Sequence, residues 1–219
     1  MSIRTILFDL DGTLIDTNEL IRASFQHTFN HYNLTFTPEE ILEFNGPPLI
    51  ETFKRIDSKR ADRMIATYRE HNLSEHDNYV TAFPEVVETV MQLQEHHLKL
   101  GIVTTKMSPT VHMGLKLTGL DSFFSTIIAL EDVTHAKPHP EPVLKAMLAL
   151  NADPQTTLMV GDNYHDIESG KNAGIQTAGV AWSQKGKERL MEYNPTYMLE
   201  QMTDLLTIAG VKNAANRTI

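Results

Sequence analysis

Two carboxylates separated by one residue, Asp9 and Asp11, close the short apolar run Ile3–Phe8 and lead into Gly12-Thr13. Further along, an apolar segment ends at Thr104-Thr105-Lys106, Lys137 lies beyond a third such segment, and Gly161-Asp162 with Asp166 follows a fourth. Packed into one partly buried site, these four carboxylates would repel and rise in pKa unless a cation stood between them. Hard oxygen ligands with room for water suit Mg²⁺. With that ion and Lys137 neutralising the site, one carboxylate can attack a bound phosphoryl group and form an aspartyl-phosphate. A second, Asp11, can protonate the leaving oxygen and later deprotonate the attacking water. The Thr104 hydroxyl, the Lys137 ammonium and nearby backbone N–H groups would hold the equatorial oxygens, where transition-state charge gathers. Thr105 and Lys106 are further candidates for substrate contact, against the ordinary reading of a lysine there as a surface residue.

Such a convergence requires strands whose C-terminal ends share one edge, because ligands of open α/β sheets bind there. Apolar runs at 99–103, 125–130, 156–160 and 175–180 alternate with amphipathic stretches at 84–97, 109–117, 140–150 and 165–173. That alternation predicts βαβ units and a parallel sheet. Residues 17–80 read differently, as helical segments at 18–33, 38–44, 49–56 and 59–76 broken by Thr37-Pro38, Gly46-Pro47-Pro48 and Asp57-Ser58. The expectation is an α/β, Rossmann-like parallel-sheet core, residues 1–16 and 81–219, with an α-helical segment, 17–80, inserted. Lys212–Ile219 reads as a frayed tail.

Composition narrows the partners. The 219 residues carry a formal net charge of -9 and no basic run, which disfavours nucleic acid. Absence of cysteine removes disulfides, thiolate metal sites and cysteine nucleophiles. The first apolar run is broken at once by Asp9, Asp11 and Asp16, so neither a signal peptide nor a membrane span is expected. A soluble cytoplasmic protein, a monomer or weak dimer with a small phosphate-containing substrate, is the reading that follows.

DLDGT at 9–13, the apolar strand ending in Thr104, Lys137 within AKP, and GDNYHD at 161–166 resemble, in order, the four motifs of the haloacid dehalogenase superfamily. The resemblance implies Asp9 as nucleophile, Asp11 as acid and base, and Thr104 and Lys137 as phosphate ligands. It further implies that Asp162 coordinates Mg²⁺ with the Asp9 carboxylate and the Asp11 carbonyl, while Asp166 acts from the metal's water shell. Dehalogenases and phosphonate hydrolases of the superfamily lack the second aspartate, so Asp11 argues against carbon–halogen and carbon–phosphorus cleavage. The segment 17–80 resembles the small α-helical cap of the phosphoglycolate phosphatase and β-phosphoglucomutase group. Caps of that kind close over the site and exclude water.

A longer similarity, through GIVTTK at 101–106, MGLKLTG at 113–119, GKNAG at 170–174 and AGVAW at 178–182, is to bacterial inorganic pyrophosphatases of the superfamily. Hydrolysis of pyrophosphate is therefore the expected reaction. Hydrolysis of 2-phosphoglycolate or another small phosphomonoester is the alternative, and phosphosugar mutase activity a more distant one. Lys54, Arg55, Lys59, Arg60, Arg63 and Arg69 could neutralise a second phosphate, or simply form a solvated face interleaved with Asp57 and Asp62. Gly46-Pro47-Pro48 is either a helix connector or, by resemblance, a loop dipping towards the site. The ten histidines show no spacing read as zinc-like and are expected to be structural or at the surface, with His165 a weak exception.

Overall fold

The structure, a computed structural model, describes residues 2–211, and the expected tail at 212–219 lies outside the described residues. Strand β1 (Thr5–Phe8) passes through the Asp9–Thr13 turn into β2 (Ile15–Asp16). Four helices follow: α1 (Asn18–His31), α2 (Pro38–Glu43), α3 (Leu49–Asp57) and α4 (Ala61–Tyr79). The chain returns through β3 (Thr81–Ala82) to α5 (Val86–Glu95), β4 (Lys99–Val103), α6 (Ser108–Leu117), β5 (Thr126–Ile128) and α7 (Glu141–Ala149). It continues with β6 (Thr157–Gly161), α8 (Tyr164–Asn172), β7 (Gln176–Val180), α9 (Lys187–Met191), β8 (Tyr197–Leu199) and α10 (Asp204–Ala209).

Six strands form one parallel sheet in the order β5-β4-β1-β6-β7-β8. Side chains alternate across it, as the two-residue period of a strand demands. Ile6, Phe8, Leu158 and Val160 enter one apolar core with residues of α5, α6 and α10, while Leu7, Val103 and Met159 enter a second with Val143, Ala146 and Met147 of α7. Both faces are therefore covered, which is why these strands read as unbroken apolar runs rather than alternating ones. The chain moves outward from β1 through β4 to β5, then crosses to β6 on the opposite side. The reversal leaves a crevice beyond the C-terminal ends of β1, β4 and β6.

Helices α1–α4 gather around a separate aromatic cluster. Phe25 and Phe29, one turn apart on α1, meet Phe44, Phe53 and Tyr68, and the ring centroids of Phe25 lie 5.6 Å from Phe53 and 4.8 Å from Tyr68. Each ring buried to this degree contributes about 1.5–3 kcal/mol of transfer free energy. Thr37 starts α2 with a capping box: its hydroxyl accepts from Glu40 N, and the Glu40 carboxylate accepts from Thr37 N. Two short antiparallel strands, β2 and β3, join this group to the sheet, with Asp16 opposite Thr81.

The sheet extends further than the sequence pattern predicts. Strand β8 adds a sixth member beyond 175–180, and α9 and α10 flank it. Three residues, Tyr197–Leu199, are too few to display a period. The expected strand 125–130 is only Thr126–Ile128, because Leu130–Asp132 turns into a 3₁₀ helix whose Asp132 carboxylate accepts from Ala129 N at 2.8 Å.

Candidate active site

Each polar residue singled out by its place after an apolar run lies at the same edge of the sheet. Asp9, Asp11, Thr104, Thr105, Lys106, Lys137, Asp162 and Asp166 all line one cavity of about 370 Å³. Its floor is the rim of β1, β4 and β6. Its roof is mostly apolar, with Ile21 and Phe25 from α1, Ile50 from α3 and Ile65 and Tyr68 from α4, interrupted by Arg69 and Asn72 of α4.

Lys137 occupies the centre of the floor. Its buried ammonium donates to Asp9 Oδ1 at 2.8 Å, Asp166 Oδ1 at 2.6 Å and the Val103 carbonyl at 2.9 Å. Burial alone would drive this lysine down, but Asp166 and Asp9 together hold it above its ordinary value. Asp9 is fixed from behind as well, its N–H donating to the Val160 carbonyl at 2.8 Å. Its carboxyl is raised from 3.8 to about 7, chiefly by burial and then by Asp166 and Asp11, against the opposing pull of Lys137. Asp162 is likewise well above the usual carboxylate range, through burial and the charges of Asp9 and Asp166.

Carboxylate oxygens of Asp9, Asp162 and Asp166 lie within 4.8 Å of one another, all three buried. One lysine does not balance three acids at such separations, and burial magnifies the repulsion. A divalent cation with oxygen ligands fits this donor set. Two glycines make the approach possible. Gly12 has φ +81°, and a Cβ there would overlap the Asp162 carboxylate. A Cβ on Gly161 would overlap the Asp166 side chain in the same way.

Asp166 has a second task. Its Oδ2 accepts from Asn163 N at 3.0 Å, completing a capping box at the start of α8. The acidic residue that the dipole favours at a helix start and the one that meets Lys137 are thus the same. Asp11 points away from the three clustered acids, towards Lys106, whose Nζ donates to Asp11 Oδ1 at 2.8 Å. Thr104 Oγ1 accepts from Lys106 N at 3.2 Å, while Thr105 Oγ1 donates to the Gly46 carbonyl at 3.2 Å.

That last bond belongs to a set of contacts absent from any motif. The Asn45 carbonyl accepts from Lys185 Nζ at 2.7 Å and from Asn163 Nδ2 at 3.3 Å, so the 45–47 loop is held from the rims of β4, β6 and β7. Burial lowers Lys185 below its ordinary value. On the outer side, Arg189 of α9 forms an ion pair with Glu43 at the end of α2. His165, also at the cavity, is pushed down to about 4 mainly by burial, and its Nδ1 lies 2.8 Å from Asn163 Oδ1. Of the six basic residues considered on α3 and α4 and the turn between them, Arg69 alone lines the cavity. Arg55 stands over Phe44, and Arg60 pairs with Asp57 at 2.7 Å. Lys185 carried no sequence signal beyond its place after β7.

With fold and site in view, the chain belongs to the haloacid dehalogenase-like hydrolases, whose family profile matches residues 6–180. Within that class it is 64% identical over 210 residues to Pyrophosphatase PpaX of Oceanobacillus iheyensis, a match covering 96% of this chain and 98% of the relative. Pyrophosphatase PpaX of Anoxybacillus flavithermus is 59% identical over 212 residues, with 96% and 99% covered. Among solved structures, a hydrolase of the haloacid dehalogenase-like family from Streptococcus pneumoniae superposes with a TM-score of 0.83 at 25% identity, covering 94% of this chain and 97% of that one. No helix among the described residues is long and apolar enough to cross a membrane.

Proposed function

We propose that this chain hydrolyses inorganic pyrophosphate to phosphate, with Asp9 as the nucleophile and residues 17–80 as a cap over the site. The observation that carries this reading is the meeting of Asp9, Asp162 and Asp166 with Lys137 in one cavity between the sheet edge and the four helices. Identity to pyrophosphatases over nearly the whole chain supports the choice of substrate.

Asp9, Asp162 and the Asp11 carbonyl would hold Mg²⁺, with Asp166 acting through its water shell, and the ion when bound would supply charge neutralisation and polarise the phosphoryl oxygens. Asp9, oriented by Lys137, attacks phosphorus and takes the phosphoryl group as an aspartyl-phosphate. Lys137 and the Thr104 hydroxyl hold the equatorial oxygens. Asp11 gives its proton to the departing phosphate, then takes one from the water that cleaves the acyl phosphate. Lys106, 2.8 Å from Asp11, orients that acid and supplies positive charge beside the departing group. The mostly apolar roof, held near the rim by the 45–47 loop, would limit the water around the reacting groups. A net charge of -9 and the absence of cysteine favour a cytoplasmic enzyme with no nucleic-acid partner.

Initial rates of phosphate release, measured with Mg²⁺ on pyrophosphate, 2-phosphoglycolate, β-glucose 1-phosphate and nucleotides, test the assignment. Pyrophosphate is expected to be the best substrate, and Asp9→Asn to lower its turnover by at least about a thousandfold. Preference for a phosphomonoester would overturn the substrate, formation of glucose 6-phosphate would reveal a mutase, and full activity of Asp9→Asn would overturn the mechanism.

A further inference from the structure

A second cluster of metal-ligating side chains lies on the outer surface of the segment that carries Lys137. His135 and His139 flank that lysine at two residues on either side, and Glu141 begins α7. The turn between them brings the imidazole rings to 4.6 Å between centroids and places His135 Nδ1 at 3.1 Å from Glu141 Oε2. One potential ligand atom from each of the three residues lies within 4.8 Å of the other two.

We propose that His135, His139 and Glu141 form a binding site for a borderline transition-metal ion, Zn²⁺ in the first instance, separate from the acidic cluster. Two imidazole nitrogens and one carboxylate oxygen, with a fourth position open to water, make a donor set that suits Zn²⁺ and that Mg²⁺ fills poorly. The carboxylate is already partitioned for the purpose. Lys145 Nζ lies 3.1 Å from Oε1, and Oε2 faces His135. His139 Nδ1 accepts from Glu141 N at 3.2 Å, which fixes the ring and leaves Nε2 for an ion. Zinc bonds of about 2.1 Å at tetrahedral angles separate ligand atoms by about 3.4 Å, so a small rotation of exposed side chains closes the set. Both histidines are exposed, which leaves their rings room to adjust.

The spacing His-x₃-His with Glu two residues on, in HAKPHPE, is the sequence signal for this cluster, contrary to the expectation that no histidine spacing was zinc-like. A purely structural reading gives Glu141 the work of binding the Thr134 and His135 backbone N–H groups, at 2.9 and 3.0 Å. It leaves unexplained why His139 also brings a potential ligand atom within 4.8 Å of those of His135 and Glu141. Occupancy would tie the two flanks of Lys137 together and stiffen the segment that presents it to Asp9.

Isothermal titration of the full chain with Zn²⁺, in the presence of excess Mg²⁺ to fill the acidic cluster, tests the site. One Zn²⁺ per chain is expected, with His135→Ala and His139→Ala each weakening binding by at least about tenfold and Asp162→Asn leaving it in place. Zn²⁺ should also slow amide exchange at residues 134–137 in the wild-type chain and not in the double histidine variant. Failure to bind Zn²⁺ under excess Mg²⁺, binding that survives both histidine substitutions, or binding abolished by Asp162→Asn would each overturn the proposal. None of these readouts depends on pyrophosphate being the substrate.

Discussion

Acidification from about pH 8 to about pH 6 is expected to weaken Mg²⁺ binding to the acidic cluster by about tenfold. The physical basis is the Asp9 carboxyl, raised from 3.8 to about 7 chiefly by burial. Its ionised form is the ligand, so a proton and the metal compete for one site. With the pKa above the unfolded value, the folded protein holds the proton through the window between them, and Mg²⁺ must displace it. The carboxyl is about nine-tenths protonated at pH 6 and about one-tenth at pH 8, which amounts to about 1.4 kcal/mol of apparent affinity. Asp162, raised in the same direction, steepens the dependence, whereas Lys137 stays charged throughout. Calorimetric titration with Mg²⁺ at both pH values, in two buffers of different ionisation enthalpy, measures the affinity and the protons released together. Release of about one proton or more is expected at pH 6, falling by about one in Asp9→Asn. Equal affinity at both pH values with no proton release would refute the electrostatic account of the site.

Gly12→Ala is expected to cost about 1–3 kcal/mol in thermal unfolding, since φ is +81° there, and to reduce phosphate release further still by displacing the Asp162 carboxylate. Wild-type stability with wild-type activity would show that the close approach of this turn to Asp162 is dispensable. Lys185→Met removes a half-buried, charge-assisted hydrogen bond to the 45–47 loop, worth about 1.5–3 kcal/mol, and should lower kcat/KM by about tenfold to a hundredfold. Arg189→Ala, which removes an exposed ion pair worth about 0–1 kcal/mol, should have a much smaller effect, and the opposite ranking would count against the inner latch.

What could be read from the chain depended on how local its cause was. Strands β1, β4 and β6 are buried on both faces, so each is an apolar run whose end is marked by the polar residues it delivers to the site, and Lys137 follows the run that contains β5. The eight residues chosen on that ground do share one cavity. Helices α1–α4 were legible from Pro, Gly and Asp-Ser breaks, and α3 and α4 do part after Asp57. Strand β8 was not legible, because its three residues owe their conformation to pairing with β7 rather than to their own pattern. The bonds from Thr105, Asn163 and Lys185 to the 45–47 loop were equally hidden, since each joins residues at least 59 positions apart. Asp11 and Asp166 illustrate a finer limit. Spacing placed both in the site, but only geometry revealed that Asp166 shares Lys137 with Asp9 while Asp11 is held by Lys106.

The neck formed by β2 and β3 sets what the four helices above it can do. Where the chain leaves the sheet and where it comes back lie side by side, Ile15 against Ala82 and Asp16 against Thr81. Two strands bonded edge to edge behave as a strip: it bends readily across its thin direction and resists bending in its own plane. A group borne on such a strip would move about one easy axis, and the bonds from Thr105 and Lys185 to the 45–47 loop would fix where that movement ends. A neck this narrow also makes the helical segment exchangeable, because a different insert with equally close ends would leave the sheet and its row of acids undisturbed.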